Sequence, residues 1–256
     1  MPNMTPVKPR ARGLLAGALC AALSTACFLP AHAAPLQKAT TMTSSATLSA
    51  RQAAIPLIAA ATATSDMPRL RAALAQGLDA GLTVSETKEI LVHLYAYAGF
   101  PRSLNALGEL MQLVEARRQA GKADAPGRDP GKAVPTGAAL IAVGTANQTR
   151  ISGAPVKGPL FDFAPAINQF LQAHLFGAIF ERDNLDWQSR ELATVGALAA
   201  PAGLEAQLKS HMNASLNVGL TMPQLRQVAD VLHKGGAAAA ADRASAALDS
   251  LPTAPR

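Results

Sequence analysis

Cysteine is nearly missing from this chain of 256 residues: there are two, Cys20 and Cys27, and both lie close to the start. Beyond residue 33 there is no thiol, so that part of the chain can hold no disulfide, no thiolate zinc site and no redox dithiol. Aromatic residues are also scarce, at 4% with one tryptophan and two tyrosines. Runs of β-branched residues are rare and alanine is abundant, which argues against a sheet and for helices. The excess of basic residues is modest. Of the net +6, Lys8, Arg10 and Arg12 account for half. Without residues 1–33 the balance is 20 basic against 17 acidic, or +3. Basic residues are scattered, without interleaved aromatics, so nucleic acid is not an expected partner.

The opening stretch is read as a secretory signal. Three basic residues precede an apolar run from Gly13 to Pro30, and Ala31-His32-Ala33 offers small residues for cleavage after Ala33. The apolar run is short for a membrane anchor, so no stable membrane insertion is expected once the signal is removed. No Arg-Arg pair marks export of a folded protein. A lipoprotein cut before Cys27 would place Ser24 where a leucine is usual. The expected location is the periplasm or outside the cell.

Sliding the chain along itself exposes a repeat. Residues 70–94, "LRAALAQGLDAGLTVSETKEILVHL", align without a gap on residues 208–232, "LKSHMNASLNVGLTMPQLRQVADVL", at an offset of 138. Gly81 and Gly219 can each close a helix, and Thr83 with Glu86, like Thr221 with Gln224, has the spacing of a capping box for the next. The match extends upstream, 48–70 over 185–208 with one gap. Three helices are predicted per half: about 49–63, 67–80 and 84–98, then 187–200, 202–218 and 222–233. Between them, residues 119–160 are rich in glycine and proline and read as a linker or ordered surface loop. In 160–185, Phe163, Ile167, Phe170, Leu171 and His174 recur at three- and four-residue steps. That predicts an amphipathic helix whose apolar face packs on the second half.

Two stretches carry a resemblance. "FAPAINQFLQAHLFGAIFERDNLDWQSRELATVGALAAPAGLEAQLKSHMNASLNVGLT" and "GLTVSETKEILVHLYAYAGFPRSLNAL" resemble the carboxymuconolactone decarboxylase family, within the alkylhydroperoxidase D-like superfamily. The likeness lies in the aromatic helix, the Arg-Glu-Leu opening of the next, the His of the third, the Asn-x-Gly-Leu-Thr turn and the Tyr-x-Gly-x-Pro break. It implies an all-α fold, a duplicated alkylhydroperoxidase D-like bundle with a first repeat over 34–118 and a second over 161–256. It also implies self-association, with three copies of a duplicated chain making a pseudo-hexamer. The family's thiol branch places Cys-x-x-Cys before the His; here that stretch is Gly203-Leu204-Glu205-Ala206. Peroxidase-like antioxidant chemistry is therefore disfavoured, which leaves a cofactor-free lyase or isomerase acting on a small carboxylated lactone or related acid. A non-enzymatic helical binding or scaffold protein is the other reading.

The candidate residues follow. His211 is the first choice for proton donor, or else a helix-packing histidine; the first repeat has Ala73 in its place. Glu191 is adjacent to Arg190; the resemblance turns Glu191 inward as a catalytic candidate, with a structural ion pair to a neighbouring arginine as the other reading. His93 lies four residues before Tyr97 on one helical face, as a second acid or as a structural histidine. Arg190, Tyr97, Arg102 and Asn105 are candidates for holding a substrate carboxylate, with a cap or a subunit contact as the other use of Asn105 and Arg102. Gly99 and Pro101 are predicted to turn the chain so that the His93 helix ends at a pocket and Arg102 and Asn105 open the next helix. No metal site is expected, because His93, His174, His211 and His233 lack ligand spacing, and no cofactor is expected.

Overall fold

In each half some of the helices open on a capping side chain. In the computed structural model, which describes residues 46–252, Ser49 and Gln52 form a reciprocal capping box at the start of α1 (Ala50–Thr64). Asp66 caps α2 (Met67–Asp79). Thr83 and Glu86 form the box that opens α3 (Val84–Ala98). After Gly99 the chain runs straight into α4 (Phe100–Gln119).

Further along come α5 (Gly137–Ser152), α6 (Pro159–Phe163), α7 (Pro165–Phe170) and a π-helical segment (Leu171–Ile179). The second half is α8 (Trp187–Ala199), α9 (Glu205–Asn217), α10 (Met222–Lys234) and α11 (Ala238–Asp249). Every regular element among the described residues is helical.

The repeat is realised element by element. Helices α2 and α9 start at 67 and 205 and end at 79 and 217, a constant offset of 138. Gly81 and Gly219 have φ of +92° and +99°, and both threonine capping boxes form. Helix α9 starts three residues later than expected. Gly203, at φ +86°, donates its amide to Glu205 Oε1 at 3.0 Å and holds the chain out of the helix until Glu205.

The first helices of the halves, α1 and α8, pack along each other, and each also packs on the third helix of the opposite half, α1 on α10 and α8 on α3. One core results, containing Ile58, Leu74 and Leu94 from the first half with Leu192, Leu225 and Leu232 from the second. At the α1–α8 seam Gly196 has no room for a side chain: a Cβ there would lie 2.6 Å from the Pro56 carbonyl oxygen. Backbone cannot yield as a side-chain tip can. Gly196→Ala is therefore expected to cost about 3 kcal/mol, the upper part of the usual overpacking range, read as a shift in the denaturant midpoint. A shift no larger than that of an exposed helix Gly→Ala would show the seam to be loose.

Two expectations are corrected. The Gly/Pro-rich segment 119–160 contains the sixteen-residue helix α5. Its irregular part is pinned, with Ala125 and Pro126 carbonyls accepting from the Val84 and Ser85 amides. Alanine and isoleucine in 137–152 outweigh the flanking glycines and prolines.

The aromatic segment is not one helix with a buried face. Pro165 divides α6 from α7, and the wider turns after Leu171 change the register, so three- and four-residue steps no longer share a side. Phe163, Ile167 and Phe170 are exposed, Phe163 by 89%. The buried residues come later, Leu175, Phe176, Ile179 and Phe180, in a smaller cluster with Ile151 of α5. His174 is exposed, with its ring 5.2 Å from that of Tyr95.

Candidate functional site

A polar stripe crosses an otherwise apolar helix face. Glu89, His93 and Tyr97 follow one another at four-residue spacing on α3, so they stack along one side. That side meets α8, which presents Arg190, Glu191 and Thr194. The result is a seam of buried polar groups between the halves.

At one end the seam is an ion cluster. Glu89 is 1% exposed and accepts from Arg190 Nη2 at 3.0 Å and from Arg182 Nε and Nη2 at 2.9–3.0 Å. Burial alone would raise the Glu89 pKa, but the Arg182 hydrogen bonds and the Arg190 charge outweigh it and hold the carboxyl below its ordinary value. Arg190 is completely buried, and its Nη2 also donates to the Arg182 carbonyl at 2.7 Å. Burial lowers its pKa, and Glu89 opposes that effect.

In the middle is His93, fully buried, with Nε2 2.8 Å from Thr194 Oγ1 and Nδ1 without a protein partner. Burial, then the nearby Arg190 and His211 charges, push its pKa well below the ordinary value of 6.5. His93 is thus neutral when folded. Unfolded, it takes up a proton below about pH 6.5, so the unfolded state binds more protons and stability falls as pH drops through that range, by about 1.4 kcal/mol per pH unit. Comparing urea midpoints at pH 5.5 and 7.0 for the wild type and His93→Gln checks this. Equal pH slopes in the two proteins would contradict it.

The other end of the seam reaches the surface. Glu191 is completely buried, and its Oε2 lies 2.8 Å from His211 Nδ1 on α9. The His211 side chain is 17% exposed, and Tyr97 meets its ring edge-on at 5.5 Å. Tyr97 OH and Glu191 Oε1 are buried without a protein partner. Burial first, then the Glu191 charge, raise the Tyr97 pKa far above 10.0, so its phenol keeps its proton. Gly99, at φ +84° and ψ 156°, ends α3 and opens α4 within one residue. Phe100 folds back from this corner to stack on Tyr95 at 4.3 Å.

The structure therefore brings His211, Glu191, Tyr97 and His93 together. Arg190 is next to them but turned toward Glu89. Arg102 and Asn105 are exposed on α4, and Arg102 Nη1 donates to the Ala98 carbonyl at 3.2 Å. Trp187 is half-buried, with Arg150 over its ring at 4.5 Å. Glu89, Arg182 and Thr194 were missed in the sequence. The signal for Glu89 was there, as the third member of the four-residue series with His93 and Tyr97. Among the described residues no group of three or more His, Cys, Asp or Glu side chains is placed to hold a metal ion, and no helix is long and apolar enough to cross a membrane.

Among the described residues the chain is thus an all-helical bundle in which a buried glutamate meets a surface-reaching imidazole with no thiol beside it. Residues 165–250 match the sequence model of the carboxymuconolactone decarboxylase family. No curated protein matches the chain.

Proposed function

We propose that the protein is a carboxymuconolactone decarboxylase-like, cofactor-free lyase or isomerase whose Glu191–His211 pair transfers a proton to or from a small carboxylated lactone or related enolisable acid. The observation that carries this is the pair itself. A glutamate with no exposure and one oxygen left without a protein partner is a poor stabilising device, but it fixes the orientation of the imidazole. With Nδ1 facing Glu191, Nε2 is the nitrogen left for substrate. In a decarboxylation the bond between the carboxylate carbon and the ring breaks and carbon dioxide leaves. The electron pair passes into the conjugated lactone carbonyl as a dienolate. His211 Nε2 then delivers its proton to the ring carbon and is reprotonated from solvent. Tyr97, held protonated, is a donor for the developing enolate oxygen.

The same proposal places this chemistry in an exported protein, in the periplasm or outside the cell. It includes self-association as a homotrimer, supported by the exposed apolar side chains of Phe100, Leu104, Phe163 and Phe170.

The test is an assay of carboxylated lactones and β-keto acids for carbon dioxide release and for solvent deuterium entering the product, with alkyl hydroperoxides in parallel. Release or exchange that depends on His211 supports the proposal. Hydroperoxide turnover alone, or turnover indifferent to His211, overturns it.

A further inference from the structure

Exchanging the two halves carries the Glu191–His211 site onto a second place in the molecule. The site is made by α8, α9 and the α3–α4 corner. Its counterpart is made by α1, α2 and the α10–α11 corner. At the offset of 138, Ala73 stands for His211, Gly235 for Tyr97, Val231 for His93 and Gln227 for Glu89. Two rings are thus replaced by a methyl group and a hydrogen atom.

A cleft of about 340 Å³ lies at this position, at the small end of the size range of ligand pockets. Its walls are apolar, chiefly Leu57, Ala60, Ala61 and Ala73. Two guanidinium groups line it, Arg69 from α2 and Arg243 from α11, and among the described lining residues there is no carboxylate. Arg243 is fixed by donating Nε to the Ala199 carbonyl at 2.8 Å and Nη2 to the Ala200 carbonyl. Arg69 lies over Gly236, which has no side chain to cover it. Asp66 pairs with Arg69 at 3.4 Å and Glu205 feels the charge of Arg243, but neither carboxylate lines the cleft.

We propose that this cleft is a second, non-catalytic binding site for a small carboxylic acid with an apolar body, the carboxylate meeting Arg69 and Arg243 and the hydrocarbon lying on the alanine walls. It has no imidazole or carboxylate to move a proton, so it binds and does not turn over. The inference does not depend on any activity at Glu191–His211.

Alanine-methyl NMR of the protein titrated with benzoate, and with uncharged benzamide of the same shape, tests it. Benzoate is expected to bind at least about tenfold more tightly than benzamide, the value of one charge-assisted contact. The shifts should centre on the methyl groups of Ala73, Ala200 and Ala240. Arg69→Ala and Ala72→Trp both alter exposed residues at the mouth, and each should weaken benzoate about tenfold while the melting temperature is kept. Equal affinity for the two probes, shifts centred around His211, or binding unaffected by Ala72→Trp would overturn the proposal.

Discussion

Glu89→Ala is expected to lower the melting temperature by roughly 10 °C. Removing one member of a buried ion cluster leaves its partners charged and unpaired, at about 3–5 kcal/mol. In a chain of this size each kcal/mol is worth about 2–4 °C. Arg190 suffers most, since it is completely buried and Glu89 is its carboxylate partner. The double change Glu89→Leu with Arg190→Met removes both charges and should recover much of the loss. The cluster also makes stability sensitive to acid. Because the folded Glu89 pKa lies below the ordinary 4.5, its contribution is present above that value and disappears as pH falls through the folded one. Calorimetry at neutral pH checks the first point. A loss under about 2 °C would mean that Arg182 and Arg190 do not need this carboxylate.

Glu191→Gln and His211→Asn are each expected to reduce turnover of a responsive acid by about 10²–10⁴-fold, the usual worth of a positioned acid–base group. The fold should survive, because His211 reaches the surface and glutamine keeps the shape of Glu191. The two losses should not add, since the carboxylate acts through the imidazole. Product deuteration in heavy water is the readout, with circular dichroism as the control for folding. Full activity in Glu191→Gln would leave the carboxylate with a purely structural role.

Much of the fold was legible because local signals agreed with one another. The paired Gly-Leu turns state where α2 and α9 end, and the threonine capping boxes state where α3 and α10 begin. Helix α5 was hidden because glycine and proline at its borders dominate a composition reading. The aromatic segment misled because three- and four-residue periodicity assumes an α-helical turn, and Leu171–Ile179 does not keep it. In the site, His211 with Glu191 and His93 with Tyr97 could be named from the sequence. Their meeting could not, because it depends on α3 of one half lying against α8 of the other. For the same reason Arg190 was read as a substrate ligand when its guanidinium faces Glu89.

The exchange of neighbours between halves, α1 on α10 and α3 on α8, also governs what a single half could do in isolation. Cut apart, each would expose the apolar strip that its counterpart covers, and would persist only by pairing with another molecule at sufficient concentration. Joined in one polypeptide, the two meet at a local concentration fixed by the tether. Their association therefore does not weaken on dilution, and one of them can lose its polar residues while the other keeps them.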